Sequence, residues 1–299
     1  MTQTPREKPI HVPMDQFSSD AGELLVGGVP LGRLATRVGQ TPFYAYDRAL
    51  LTQRATELRS ALPAGIKLHY AMKANPMPAL VQHMARLVDG IDVASARELQ
   101  IALDCGADPR EISFAGPGKR HEELRQAVAA GILINIESFR EVAELGAIRQ
   151  ATGWPVRVAV RVNPDFELKS SGMKMGGGPK QFGVDAEQVP DLLGEIARQG
   201  LAFEGFHLFA GSQNLRPEAI VEAQRKSFEL ALRLAAQAPA PVRFLNLGGG
   251  FGIPYFPGEP RLDITDIAAN LAALQREAAV AMPSQCAKAN ASSSARCWS

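Results

Sequence analysis

Cysteine is scarce in this chain. Only Cys105, Cys286 and Cys297 occur in 299 residues, and their spacing makes neither a disulfide framework nor a zinc site. Cys105 falls in a helical pattern and reads as a small core residue. Net charge is equally thin: 32 Lys and Arg against 31 Asp and Glu leave +1. That balance offers no electrostatic reason to expect nucleic acid or an anionic membrane as partner. No apolar run approaches the about 20 residues that a membrane span needs. The stretch from Met1 to Pro9 is polar and proline-broken, unlike the apolar core of a secretory signal. What is present is 46% hydrophobic and 21% charged, the composition of a globular chain with one large domain or two smaller ones. The expected compartment is the cytoplasm.

From about residue 66 onward, short apolar or β-branched runs alternate with amphipathic stretches. The predicted strands are Lys67–Met72, Gly90–Ala94, Ile112–Ala115, Ile132–Ile136, Val156–Val162, Phe203–Phe209 and Arg243–Leu247. Between them the periodicity predicts helices over Pro78–Val88, Ala96–Leu103, His121–Ala129, Ser138–Arg149, Ala186–Arg198 and Pro217–Ala236. Strands separated by helices of this length imply right-handed βαβ units and a parallel sheet. No early strand runs into a GxGxxG turn, as a dinucleotide-binding fold usually requires. Instead, polar residues and glycines gather after many different strands: Lys73, Ser95, Gly116-Pro117-Gly118, Glu137-Ser138, Asn163, Gly211-Ser212 and Gly248-Gly249-Gly250. Such residues converge on one mouth in a (β/α)8 barrel of the TIM type.

Three segments follow from this reading. Residues 1–40, with Gly27-Gly28-Val29-Pro30, lie outside the alternation and read as a separate strand or hairpin. Residues 41–282 form the barrel, with a glycine-rich mobile loop at Ser170–Gly183 after the fifth strand. An eighth strand is expected after the helix Ile264–Met282, but Pro283–Ser299 holds no Val, Ile, Leu or acidic residue. Such a segment buries too little apolar surface to offset its ordering entropy, so residues 283–299 are expected to be disordered. The eighth strand is therefore expected to be missing.

Lys73 stands where the first barrel strand runs out into a turn. An amine on a dry cleft floor loses pKa and gains nucleophilicity, which suits a Schiff base with an aldehyde cofactor or carbonyl substrate. The alternative is an ordinary solvated lysine at a strand end. Leu247-Gly248-Gly249-Gly250-Phe251-Gly252 ends the seventh strand. Consecutive glycines let backbone N–H groups approach an anion, and barrels often bind phosphate after strands seven and eight. The bland reading is a flexible turn. Gly211-Ser212-Gln213 adds a hydroxyl and a further amide toward the same anion, or is a turn of its own. A Schiff-base lysine and a phosphate nest on one mouth suggest pyridoxal 5'-phosphate (PLP).

Seven motifs in register carry a resemblance: His69-Tyr70-Ala71-Met72-Lys73-Ala74-Asn75, Asp92-Val93-Ala94-Ser95-Ala96-Arg97-Glu98-Leu99, Gly116-Pro117-Gly118-Lys119, Asn135-Ile136-Glu137-Ser138, Arg161-Val162-Asn163-Pro164, Gly211-Ser212-Gln213 and Leu247-Gly248-Gly249-Gly250-Phe251-Gly252-Ile253-Pro254-Tyr255. Over about residues 24–282 the chain resembles the PLP-dependent ornithine/diaminopimelate/arginine decarboxylases of the alanine-racemase-like fold. Phe206-His207-Leu208-Phe209-Ala210-Gly211-Ser212-Gln213 looks more like an exosortase-associated subgroup.

The resemblance implies that Lys73 joins covalently to PLP, that Gly248, Gly249, Gly250 and Ser212 hold its phosphate, and that Arg161 lies near the ring. Asp92 and Glu137 would border the same mouth; the bland alternative is an ion pair inside the barrel for Arg161 and solvation at strand ends for Asp92 and Glu137. Where the family stacks a histidine on the ring, this chain has Phe209, which stacks by its face but carries no proton. His207 precedes it by two positions and reads as either a ring neighbour or a buried core histidine. The family's ring-nitrogen glutamate and its C-terminal β-domain, which supplies a Cys-Asp pair across a homodimer, have no counterpart here. The implied function is decarboxylation of an amino acid of the diaminopimelate or ornithine type, weakened by that loss. Alternatives are decarboxylation of a carrier-protein-bound aminoacyl group, racemisation, or a non-catalytic PLP-binding protein. No metal is implied.

Overall fold

The computed structural model describes residues 10–166, 173–174 and 180–281. Seven strands form one parallel sheet: β4 (His69–Ala71), β5 (Gly90–Val93), β6 (Ile112–Phe114), β7 (Leu133–Ile136), β8 (Arg157–Asn163), β11 (Ala202–Leu208) and β13 (Phe244–Asn246). They lie side by side in chain order, every pairing parallel. A short β10 (Val184–Asp185) also pairs with β8. Among the described residues β4 and β13 are the two edges, so the wall is the seven-stranded part of a TIM-type barrel.

Seven helices follow the strands or lead into them: α2 (Arg48–Ala61), α3 (Pro78–Met84), α4 (Ala96–Asp104), α5 (His121–Ala130), α6 (Phe139–Thr152), α7 (Val189–Arg198) and α8 (Pro217–Ala235). An eighth, α9 (Thr265–Ala281), packs on α8. Ser95 and Ser138 accept hydrogen bonds from the Glu98 and Glu141 N–H groups as N-caps of α4 and α6. Two of the polar signals after strands are thus helix starts rather than site residues. The predicted helix over Ala186–Arg198 begins as a 3-10 turn, Ala186–Gln188, before α7.

Residues 10–40 hold more than a hairpin. The strands β1 (Ser19–Asp20), β2 (Glu23–Val26) and β3 (Val29–Pro30) form an antiparallel meander, followed by α1 (Leu31–Val38). Cys105 caps the C-terminus of α4, half-buried against the core, and its thiol donates to the Pro78 carbonyl at 3.4 Å. Most of the predicted Ser170–Gly183 loop and all of 283–299 lie outside the described residues. Within that loop region β9 (Met173–Lys174) pairs with β12 (Gly211–Ser212).

The alternation along each strand sorts the barrel into two faces. Val93, Phe114, Ile134, Ile136, Val160, Phe206 and Leu208 point outward into one continuous apolar core with Leu99, Leu124, Leu145 and Phe228 from the helices. Toward the C-terminal ends of the strands the inward positions are polar: Asp92, Ser113, Asn135, Glu137, Arg161, His207 and Asn246. Register places Arg161 beside His207 and His207 beside Asn246. An interior of this kind is a site rather than a dry plug.

Candidate active site at the barrel mouth

Strand β4 ends in a 3-10 turn, Met72–Ala74, pinned by fully buried Met72 and by the Tyr70 hydroxyl donating to the Asn75 carbonyl at 2.9 Å. Lys73 sits on that turn and is exposed. The expectation of a desolvated amine is not met here, because β4 is an edge strand and nothing described covers the turn.

Ala71 pairs with Asp92, so Asp92 stands on the strand beside the one that runs out into the Lys73 turn. Asp92 Oδ1 accepts hydrogen bonds from His69 Nδ1 at 3.0 Å and from Ser113 Oγ at 2.7 Å. Burial pushes this carboxyl up, but His69, the Ser113 hydroxyl and His207 outweigh it and hold Asp92 below the usual carboxylate range.

Glu137 gathers three segments. Its Oε1 accepts from the Gly116 N–H at 2.5 Å and from Arg161 Nη1 at 3.2 Å, and its Oε2 accepts from the Gly183 N–H at 3.0 Å. The Arg161 guanidinium also lies 4.8 Å from the Phe182 ring centroid. Arg161 thus forms the interior ion pair with Glu137.

His207 is the electrostatic centre of the mouth. Burial, then the positive charge of Arg161, push its imidazole down to about 4, with Asp92 and Glu137 opposing and Lys73 adding a smaller push. It is neutral at pH 7, and its Nδ1 is buried without a hydrogen-bond partner. Phe209 lies beyond the end of β11 and packs against the glycine turn.

That turn contains two kinds of glycine. Gly248 and Gly250 take φ of 71° and 72°, and a Cβ on Gly250 would meet the Gly211 carbonyl oxygen at 2.3 Å. Both are needed by the backbone itself. Gly249 has no positive φ and no atom within 4 Å of where its Cβ would stand. The Asn214 N–H donates to the Gly250 carbonyl at 2.9 Å, which ties the Ser212 segment to the turn. Among the described residues, neither the Gly249 nor the Gly250 N–H donates to a protein acceptor.

Two groups of site residues escaped the sequence reading. His69 stood inside a quoted motif without a role; its signal was a polar residue in the same strand phase as Ala71, which pairs with Asp92. Lys119 and Glu141 form a fully buried ion pair at 3.2 Å, and Lys119 Nζ also donates to the Gly116 and Asn135 carbonyls at 2.6 and 2.7 Å. Burial pushes the Lys119 amine down and the Glu141 carboxyl up, each partly offset by the other's charge. The pair supports the Gly116 loop beneath Glu137. No sequence signal distinguishes Lys119 from a surface lysine.

The family model for the pyridoxal-dependent decarboxylase, pyridoxal binding domain, matches residues 48–286. The chain belongs to the pyridoxal-dependent decarboxylase family. It is 35% identical over 245 residues to the L-glutamyl-[BtrI acyl-carrier protein] decarboxylase of Niallia circulans, covering 81% of this chain and 57% of that protein. It is 36% identical over 250 residues to the diaminopimelate decarboxylase of Aquifex aeolicus, covering 83% and 59%. The crystal structure of Helicobacter pylori diaminopimelate decarboxylase complexed with L-lysine superposes with a TM-score of 0.71 at 30% identity, covering 82% of this chain and 63% of that one. The chain thus spans a little over half the length of the curated decarboxylases it matches.

Membership in this decarboxylase family implies PLP, and the mouth fits that group. Two N–H donors without protein acceptors among the described residues stand in the glycine turn, an exposed amine stands at the strand end, and His207 Nδ1 lacks a partner. No helix among the described residues is long and apolar enough to cross a membrane.

Proposed function

We propose that this chain holds PLP at the barrel mouth and acts in the decarboxylation of an amino acid. In this reading Lys73 would hold the cofactor through its aldehyde group, while the Gly249 and Gly250 N–H groups and Ser212 would hold its phosphate. Phe209 offers an apolar face to the ring beside the glycine turn. His207 borders the ring as a neutral imidazole, and Asp92 supplies negative charge on the strand beside the one that runs out into the Lys73 turn. Glu137 keeps Arg161 oriented toward the same space. When bound, PLP supplies the electron-accepting ring that takes up the pair left behind as the substrate carboxylate departs as carbon dioxide.

Gly249 carries the cofactor reading. Its neighbours in the turn are glycine for backbone reasons, but at 249 a Cβ would meet no protein atom within 4 Å. A side chain there obstructs only a group seated on the turn. The amino-acid reading draws support from the diaminopimelate decarboxylases among its relatives. The test is reconstitution with PLP followed by measurement of carbon dioxide release from diaminopimelate, ornithine, arginine and lysine. Release from none of these, with PLP bound, refutes decarboxylation of a free diamino acid.

A second reading has its own support: the Niallia circulans relative acts on a glutamyl group carried by an acyl-carrier protein. Offering glutamate free and as a carrier-linked thioester separates the two. Turnover of the thioester alone identifies the carrier-bound class.

A further inference from the structure

One buried histidine has no place in the scheme so far. The side chain of His69 is 9% exposed, and its ring lies where Gly90 leaves room. A Cβ on Gly90 would come within 2.5 Å of His69 Cε1 and 2.6 Å of Nε2. The same Cβ would meet the Glu111 carbonyl oxygen at 2.5 Å. The far nitrogen, Nε2, is buried and has no hydrogen-bond partner. The near nitrogen, Nδ1, reaches Asp92 Oδ1 at 3.0 Å.

Hydrogen-bond logic sets the direction of that contact. An ionised carboxylate only accepts, so the proton resides on Nδ1. Ser113 Oγ donates to the same carboxylate oxygen at 2.7 Å, and Asn135 Nδ2 donates in turn to Ser113 Oγ at 3.2 Å. Four successive strands thus each give one residue to a chain that ends on Asp92. The Asp92 side chain keeps 27% of its surface exposed toward the mouth.

We propose that His69 is a positioning residue: from inside the barrel it holds the Asp92 carboxylate ionised and turned toward the mouth, beside Lys73. The proposal rests on the PLP reading, in which the Lys73 nitrogen carries positive charge while joined to the cofactor. A fixed anion on the adjacent strand favours that charge, because opposite charges stabilise one another. The groups facing Asp92 are His69 from β4, Ser113 from β6 and His207 from β11. His207 is in turn faced by Arg161, Glu137 and Lys73. Of these, His69 and Ser113 touch Asp92 directly.

The test uses PLP-reconstituted protein and follows the visible absorbance of the lysine-bound chromophore against pH. His69→Phe is expected to lower the midpoint for loss of the protonated form by about one pH unit, the size of a single charge neighbour. His69→Asn, whose Nδ2 can stand in for Nδ1, is expected to return most of the shift. Asp92→Asn is expected to shift the midpoint in the same direction, with no further change when His69→Phe is added. A wild-type midpoint in His69→Phe overturns the proposal, as does an equal extra shift on the Asp92→Asn background. A histidine nitrogen NMR spectrum of the cofactor-free protein tests it separately. The His69 proton is expected on Nδ1 in wild type, with a redistributed signal in Asp92→Asn; identical spectra overturn the proposal. Absence of any chromophore in wild type refutes the PLP reading and leaves the NMR result to decide on His69.

Discussion

The ring of Phe209 lies against Gly248, so closely that a Cβ on the glycine would come within 2.6 Å of Phe209 Cδ2. This contact joins the end of β11 to the turn after β13. The three adjacent glycines of that turn differ in their surroundings: Gly248 meets Phe209, Gly250 meets the Gly211 carbonyl, and Gly249 faces open space.

Gly250→Val places a Cβ against the Gly211 carbonyl and forces a β-branched residue to positive φ. The left-handed conformation alone costs about 1–2 kcal/mol. A clear fall in melting temperature is expected. The Cβ of Gly249→Val meets no protein atom within 4 Å, so its melting temperature should stay near wild type while PLP affinity falls at least about tenfold. Calorimetry paired with a PLP titration reads both. Wild-type affinity in Gly249→Val means that the glycines form only a turn.

Borohydride reduction in the presence of PLP, followed by peptide mapping, is expected to place the pyridoxyl mass on Lys73. Because Lys73 is exposed, Lys73→Ala should lose the adduct without loss of melting temperature. An adduct on another lysine removes Lys73 from the site.

His207 predicts a pH dependence of stability. Its folded pKa of about 4 lies below the ordinary 6.5, so between those values the unfolded chain binds more protons. Stability from this group is complete above pH 6.5 and is lost as pH falls toward 4. The size is on the order of 3 kcal/mol. Urea unfolding at pH 4.5 and 7 should show a steeper loss for wild type than for His207→Gln. Equal slopes place the imidazole in water.

The Lys119–Glu141 pair predicts a large asymmetry between single and double replacement. Lys119→Met leaves Glu141 buried without its partner and should cost about 3–5 kcal/mol. Adding Glu141→Leu should recover much of that loss, since no buried charge then stands uncompensated. Denaturant midpoints for the two variants check it. Additive losses mean that the residues act independently.

The order of seven parallel strands and the position of Lys73, Asp92, Glu137, Arg161, His207 and the glycine turn near their C-terminal ends were legible in the chain. Periods of 2 and 3.6 are local properties, and a motif at a strand end inherits its place from the strand. The helix α1 after the short meander was not predicted, although Leu31, Leu34 and Val38 stand at i, i+3 and i+7; in the fold none of its residues is buried. Nor was the role of Ser95 and Ser138 as caps, since a serine after a strand reads alike as cap or ligand. Tertiary structure alone decided the environment of each charge. Lys119 and Lys73 are both lysines in glycine- or alanine-bordered turns, yet one is 2% exposed and the other open to solvent. His69 meets Asp92 across 23 positions, and Glu137 meets Gly183 across 46. Charge state and hydrogen bonding depend on the atoms within a few ångströms, and in a barrel those atoms come from strands far apart in the chain.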